Sequence, residues 1–367
     1  MKFVCTQLSL VKALSTVDKA VSTRTTIPVL KGILLNVKDN RLYLTASDLD
    51  LSIETSIEVQ SEIEGSVVVN AKLFEDIIRK LPSAIVKFEE VNGKLLISCL
   101  GSEFNIVTMS ADEFPSIGMV NELNKVIINN DTLKELIKRT SFAASIDEKK
   151  GTLTGCLMKF ENSNLEIAAL DGFRMAISKE AISDKSNRTV IVPARILIEV
   201  SKILSESNSN EVSLILDEKK AEIFSDETRV VIRLLEGEFI KYKDIIPKEY
   251  KTRVIISSKE MQDAIERASL LAKEGKNNLI KLEIADGNIE ITSRSEEGNV
   301  KENVSAEIEG ENITIGFNSK YLLDVLKVVP DDEVAIEMTS AVSACLIKPV
   351  SGDNYLYLVL PVRISAN

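Results

Sequence analysis
The sequence predicts an α+β fold of three similar domains in series, each carrying two helices packed on antiparallel sheets. Three observations predict it. One order of elements occurs three times, six stretches place apolar residues at helical spacing, and the stretches between them alternate apolar and polar residues between turn signals. The repetition assigns residues 1–122, 123–248 and 249–367 to successive domains, each long enough to bury its own core.

Each domain opens on a helix, read at Leu10 to Ala20, Leu133 to Ala143 and Met261 to Leu271. A hairpin follows: LLNVKDNRLYLTASDLDLSIE from Leu34, LMKFENSNLEIAALDGFRMAIS from Leu157 and KLEIADGNIEITSRSEEG from Lys281. Period-2 alternation marks strands at Arg41 to Ala46 and Leu165 to Ala169, and the turns fall at Asp39-Asn40, Asn162-Ser163-Asn164 and Asp286-Gly287. A β-branched run then breaks into a second helix, across Val67 to Pro82, Val190 to Leu204 and Ile313 to Pro330. The matching positions Asn70, Pro193 and Asn318 are 123 and 125 residues apart, so the three copies keep step. Leu73, Ile77 and Leu81, or Leu322, Val325 and Val329, form the stripe that must pack on the sheets. Alternation returns at Lys94 to Cys99 behind the turn Asn92-Gly93. Each domain thus divides into two halves of the pattern strand, helix, three strands. If sheet edges at the domain ends pair with neighbouring domains, the assembly closes and leaves no edge exposed.

With 44% hydrophobic residues the chain can bury such cores, yet no stretch reaches the ~18 consecutive apolar residues of a membrane span. The N-terminal MKFVCTQLSL lacks the basic region and long apolar run of a signal peptide, so a cytoplasmic protein without membrane contact is expected. Cys5, Cys99, Cys156 and Cys345 lie far apart in strand-like apolar contexts and read as buried free thiols. Histidine is absent, which removes Ser-His and Cys-His nucleophilic pairs, histidine general bases and most zinc sites. No Gly-rich phosphate loop occurs either. A protein without catalysis, cofactor or metal is the expectation.

A formal net charge of −11 looks hostile to nucleic acid, but the charge is unevenly placed. Over helices read as 8–24, 70–80, 130–140, 193–204, 258–273 and 318–327, 16 basic residues stand against 10 acidic ones, an excess of +6 that leaves −17 elsewhere. A basic face on one amphipathic helix is ordinarily just solvated. Six helices with a collective excess inside an acidic chain suit contact with phosphates.

Eight motifs in order carry a family resemblance: TTIPVLKGILL from Thr25, TASDLDL from Thr45, DEFPSI from Asp112, ALDGFRMA from Ala169, VPARILIE from Val192, EFIKYKDIIP from Glu238, FNSKYLLDVL from Phe317 and YLVLPVR ending at Arg363. With the triplication they span the whole chain, which resembles the bacterial DNA polymerase III β subunit, the replicative sliding clamp. That resemblance implies the DNA clamp fold, in which two three-domain chains join head to tail as a six-domain ring with twelve helices lining the hole. Twelve helices ~10 Å apart give a circumference of ~120 Å and a hole of ~28 Å, wide enough for duplex DNA. It also implies a non-catalytic processivity factor that encircles double-stranded DNA without reading its sequence. Its implied partners are a second copy, the replicative polymerase subunit, the clamp loader, and other polymerases and repair proteins that bring short peptide motifs.

For DNA contact the resemblance points to Arg24, to Arg195, and to Lys149 and Lys150 in the loop SIDEKKGTLTG, where Gly151-Thr152 replace a frequent aromatic pair. For the peptide it implies an apolar pocket between the second and third domains at Leu153, Leu170, Gly172, Phe173, Arg174, Met175, Ile240, Ile245, Asn318, Tyr321, Val342, Ala344, Leu358, Val359, Leu360, Pro361, Val362 and Arg363. Met and aliphatic walls suit adaptable recognition, with Arg174, Asn318 and Arg363 expected to fix the peptide backbone. Phe173 stands where a histidine is frequent and Asp244 where a basic residue is frequent, which points to an altered peptide preference. The ring's seam is implied at Phe104 and Ile106 in EFNIVTM and at Leu270 and Leu271 closing the helix MQDAIERASLLAKE. Two other readings compete. A peptide-binding scaffold that never engages DNA would explain the C-terminal motifs alone, whereas an enzyme would need converging acids or a metal site, which the sequence does not show.

Overall fold
The computed structural model describes all residues except Thr23, 119–124 and 365–367, together with the side chain of Lys276. The expected boundary between residues 122 and 123 therefore lies outside the described residues.

In the first third, β1 (Lys2–Thr6) leads into α1 (Gln7–Val17), capped where Thr6 Oγ1 accepts from the Ser9 amide at 3.2 Å. The hairpin and its third strand are β2 (Gly32–Lys38), β3 (Arg41–Ser47) and β4 (Leu51–Glu58). After the short β5 (Gln60–Ile63) the pattern repeats as β6 (Gly65–Asn70), α2 (Ala71–Lys80), β7 (Ile85–Val91), β8 (Lys94–Cys99) and β9 (Ser102–Met109). Asn70 caps α2 by accepting from the Leu73 amide at 3.0 Å.

The central third runs β10 (Lys125–Asn129), α3 (Asn130–Thr140), β11 (Gly155–Glu161), β12 (Asn164–Leu170) and β13 (Arg174–Ala181). Its second half is β14 (Arg188–Pro193), α4 (Ala194–Glu206), β15 (Glu211–Leu216), β16 (Lys220–Ser225) and β17 (Thr228–Arg233). The last third runs β18 (Thr252–Ser257), α5 (Ser258–Ala272), β19 (Leu279–Ala285), β20 (Asn288–Ser295) and β21 (Gly298–Ser305), then β22 (Glu307–Gly310), β23 (Ile313–Asn318), α6 (Ser319–Leu326), β24 (Glu333–Met338), β25 (Cys345–Pro349) and β26 (Tyr355–Val359). Among the described residues the predicted half-domain pattern thus occurs six times. Its tightest turns have the predicted chemistry: Asp39 and Asn40 (φ 52° and 55°), Asn162 and Ser163 (52° and 58°), and Asp286 and Gly287 (50° and 76°) take the left-handed geometry of two-residue hairpins.

Half-domains exchange their first strands. β1 pairs with β7 while β6 pairs with β2, β10 with β15 while β14 pairs with β11, and β18 with β24 while β23 pairs with β19. Neither half keeps a complete sheet without the other.

The chain divides into two compact units, Met1–Asp131 with Glu199–Leu234, and Thr132–Ile198 with Leu235–Asn367. The first holds a 13-stranded sheet ordered β10-β15-β16-β17-β4-β3-β2-β6-β9-β8-β7-β1-β5. The second holds a nine-stranded sheet, β14-β11-β12-β13-β26-β25-β24-β18-β22, and a four-stranded sheet, β21-β20-β19-β23. Successive repeats join inside these sheets. β4 pairs with β17, setting Ile53 opposite Val230, and β13 pairs with β26, setting Ala176 opposite Tyr357.

Two expectations need correction. The stripe on α2 is rotated, because Phe74 is fully buried against the Phe88 ring, 6.1 Å away, and Leu73 is left half-exposed. The bulkier ring takes the core position. Four of the six helices are also shorter than read, while α4 runs on to Glu206: α1 ends at Val17, so Arg24 is not on it, and Lys19, Lys273 and Lys327 likewise follow helix ends. Within the observed helices 12 basic residues face 10 acidic ones, an excess of +2. The displaced lysines sit where terminal carbonyls attract cations. All four cysteines are buried and free, and burial pushes the thiols of Cys5, Cys156 and Cys345 up to about 12. Among the described residues no helix is long and apolar enough to cross a membrane.

Candidate functional site
The expected pocket residues gather in the second unit, around the turn from β12 to β13. Asp171 Oδ1 accepts from the amides of Phe173 and Arg174 at 2.8 and 3.0 Å, closing an Asx turn, and Gly172 takes φ 93°. The turn sends its next two side chains opposite ways. Phe173 points out, 55% exposed, and stacks on Tyr321 of α6 with ring centroids 6.3 Å apart and planes 23° apart. Arg174 points in, its side chain 10% exposed.

That arginine is committed internally. Nε donates to Asp171 Oδ2 at 3.1 Å, Nη1 to Asp324 Oδ2, and Nη2 to the Phe142 carbonyl at 2.8 Å. Its guanidinium carbon lies 4.7 Å from the Tyr321 ring centre and 5.3 Å from that of Phe142. Arg174 therefore braces the site from below with three of its five N–H donors. Burial raises the Tyr321 phenol above its ordinary range, the Asp171 carboxylate adding to the shift and Arg174 opposing it.

An apolar floor lies beside the brace. Leu170, Met175, Leu358 and Tyr242 are buried in one cluster with Leu157, Ile177 and Leu346, and Leu153, Ala344, Phe239 and Ile246 pack partly buried against it. Val359 is fully buried. Phe239, Tyr242 and Ile246 anchor the segment that carries Ile240 and Ile245, and these two are exposed, as are Val342 and Leu360. Buried members of the expected set are thus floor, and exposed members are rim. Beyond β26 the chain continues as a strap: the Leu360 amide donates to the Phe173 carbonyl at 2.9 Å and the Val362 amide to the Gly316 carbonyl at 2.8 Å. A Cβ on Gly316 would lie 2.8 Å from the Val362 carbonyl, so only glycine admits the strap. Pro361 and Val362 are half-buried and Arg363 is exposed. Asn318 spends its side-chain oxygen as the α6 cap, accepting from the Lys320 amide at 3.0 Å.

The residues expected at DNA are dispersed. Arg24 is exposed in the first unit, in the segment after α1. Lys149 and Lys150 belong to the second unit, on the first of two short 3-10 turns that meet at a kink at Gly151 within Glu148–Thr154, and the cap Asp147 accepts from the Lys149 amide at 3.1 Å. Arg195, also in the second unit, is the exposed second residue of α4. Lys150 does not project freely: its ammonium donates to the Asp171 carbonyl at 2.7 Å and lies 5.5 Å from the Phe173 ring centre. It belongs to the turn of the pocket. At the expected seam, Phe104 is exposed, Leu270 is 66% exposed and Leu271 is half-buried, but Ile106 is 6% exposed and packs inside its own domain.

Sequence reasoning missed Phe142, Asp324 and Lys150 as parts of one construction. Asp324 had a signal, a lone acid in the apolar run LLDVL, whereas Phe142 reads as ordinary core.

Family models for the DNA polymerase III β subunit match the chain in three blocks: the N-terminal domain at residues 1–118, the central domain at 127–241 and the C-terminal domain at 243–363. The β sliding clamp of Bacillus subtilis (strain 168) is 39% identical over 377 residues, covering 99% of this chain and 100% of the relative. Among solved structures, a DNA polymerase sliding clamp from Bacillus subtilis has a TM-score of 0.95 at 38% identity, covering 100% of both chains. A putative DNA polymerase III β subunit from Eubacterium rectale has a TM-score of 0.94 at 36% identity, covering 99% of this chain and 100% of that one.

Proposed function
Because the chain belongs to the DNA polymerase III β subunit family, we propose that it works as the DNA sliding clamp of its replication machinery. It is a homodimer that encircles duplex DNA, keeps the replicative polymerase on its template, and holds the clamp loader and other replication and repair proteins through peptide motifs. It serves the polymerase III holoenzyme without chemistry of its own. A bacterial protein with this role works in the cytoplasm, where the chromosome lies.

The strand pairing at the two internal junctions carries the reading. Each time, the third hairpin strand of one repeat accepts the last strand of the next: β4 with β17, then β13 with β26. One such pair remains, β21 of the third repeat and β9 of the first. Among the described residues β21 ends its sheet, and β9 meets β6 only through Thr108 and Met109. A second copy supplies the missing partner at each, and two such seams close two chains into a ring of six domains. Ile53 opposite Val230 and Ala176 opposite Tyr357 translate, through the hairpin registers, to Val300 opposite the partner's Phe104. The next pair is Lys301 with the partner's Glu103, opposite in charge, which favours the same register.

The three domains are read as 1–122, 123–248 and 249–367, supported by the sixfold half-domain pattern. Arg24, Lys149 and Arg195 are read as facing DNA, supported by exposure and charge. The floor, rim and strap around Phe173 are read as the peptide pocket. Retention on DNA tests the whole. Loaded onto a nicked circular duplex with a clamp loader and ATP, the protein should stay through gel filtration and leave once the circle is linearised. Equal retention on both forms would sink topological binding.

A further inference from the structure
A column in which each cation is followed by a pair of rings runs through the second unit. Lys150 Nζ lies 5.5 Å from the Phe173 ring, Phe173 6.3 Å from Tyr321, the Arg174 guanidinium 4.7 Å from Tyr321 and 5.3 Å from Phe142, and Phe142 6.1 Å from Tyr357. Its inner members are locked. Tyr357 is fully buried, and Asp171, Asp324 and the Phe142 carbonyl hold Arg174. At the outer end Lys150 lies over the exposed Phe173 ring.

The base of that lysine is fixed. The Lys150 amide donates to the Asp147 carbonyl at 3.0 Å, and Thr154 Oγ1 donates to the Gly151 carbonyl at 2.8 Å, so each of the two short turns that meet at Gly151 is closed by its own bond. From it the ammonium reaches the Asp171 carbonyl, pinning the same turn that carries Phe173. We propose that Lys150 is a positioning residue of the peptide pocket, holding Phe173 flat against Tyr321 so that the shelf prefers an aromatic to an aliphatic side chain in the incoming motif. The proposal rests on reading this site as a peptide pocket. The physical reason is preorganisation: offset stacking rewards a ligand ring only where the receiving ring already lies in place, and a free Phe173 would lose its rotamer freedom on binding. One ammonium donor is spent on the Asp171 carbonyl and the charge is shared with the ring, which suits Lys150 to this task more than to DNA.

The test uses the intact homodimer and two synthetic peptides, rich in Gln and Leu and identical except for Phe or Leu at the last position. Fluorescence anisotropy should show wild type binding the Phe peptide more tightly. Lys150→Met should cut that preference by about fivefold, the loss of one exposed cation–π contact and its hydrogen bond, with the Leu peptide losing less affinity than the Phe peptide and the thermal midpoint unchanged. Lys150→Arg should restore the preference, and Phe173→Leu should abolish it. Equal weakening of both peptides by Lys150→Met, an unchanged ratio, or a wild type with no preference would overturn the positioning role. A wild type that binds neither peptide would overturn the pocket reading with it.

Discussion
At the junction of the first and central repeats, Asp48 Oδ1 accepts from the amides of Asp50 and Leu51 at 3.0 and 2.7 Å. At the junction of the central and last repeats, Asp171 does the same for Phe173 and Arg174 at 2.8 and 3.0 Å. The Arg233 amide donates to the Asp50 carbonyl at 2.8 Å, as the Leu360 amide does to Phe173 at 2.9 Å. The backbones match bond for bond, yet the side chains do not. Leu51 is fully buried where Arg174 carries the ring column, and Asp50 makes a loose 3.8 Å ion pair with Arg233 where Phe173 forms an exposed shelf. Backbone pairing builds the assembly at both places, and side-chain divergence at one of them builds a recognition site.

The contrast is open to breaking, most forcefully in the sheet. Val230 is 2% exposed in the strand that joins the first two repeats, so Val230→Asp buries an unpaired charge. The expected loss is about 3 kcal/mol or more, read as a lower urea midpoint. Leu360→Asp alters the rim of the other junction, where Leu360 is 39% exposed. Here the stability loss should stay under about 1 kcal/mol, while peptide affinity falls roughly tenfold or more. Comparable destabilisation by both variants would mean that Leu360 is core, not rim. Removing Leu358 to Arg363 outright is a poor probe, since Leu358 and Val359 are ladder members against Met175 and Arg174.

The seam between copies should behave as a third junction. Phe104→Glu places a carboxylate opposite the apolar Val300 of the partner copy, and sedimentation should show dimer dissociation favoured by about 30-fold, or ~2 kcal/mol. Register has its own check: Lys301→Glu should weaken the dimer and a compensating Glu103→Lys should recover part of the loss. Independent, additive effects would place the two residues apart.

Much of this was legible before any coordinates. Helix periodicity and the Asp-Asn and Asp-Gly turns are local signals, and the structure follows them. The exchange of first strands between half-domains was not legible, because pairing β1 with β7 depends on which edges meet in space. The site was legible in membership but not in roles. Arg174 reads as a donor for ligand, and only the meeting of Asp171, Asp324 and Phe142 around it shows that three of its five N–H donors serve the brace. Lys150 reads as a DNA contact because charge is visible in sequence, whereas the carbonyl it bonds is not.

The smallest expected effect bears most directly on how the two turns diverged. Leu49 holds φ 79° at the position where the later turn has Gly172 at φ 93°. A branched side chain in that region costs about 1–2 kcal/mol, and glycine recovers this less the ~0.5–1 kcal/mol of extra freedom it has when unfolded. Leu49 is exposed, so little packing is lost. Leu49→Gly should therefore stabilise the chain by about 0.5–1 kcal/mol. Gly172→Ala, with no atom within 4 Å of the added Cβ, should destabilise it by about 1 kcal/mol through the backbone alone. Urea midpoints decide both. If Leu49→Gly instead destabilises, the Leu49 side chain makes a contact that offsets its strain, and the first junction is then not a plain joint but a surface that selection has kept apolar against its own backbone.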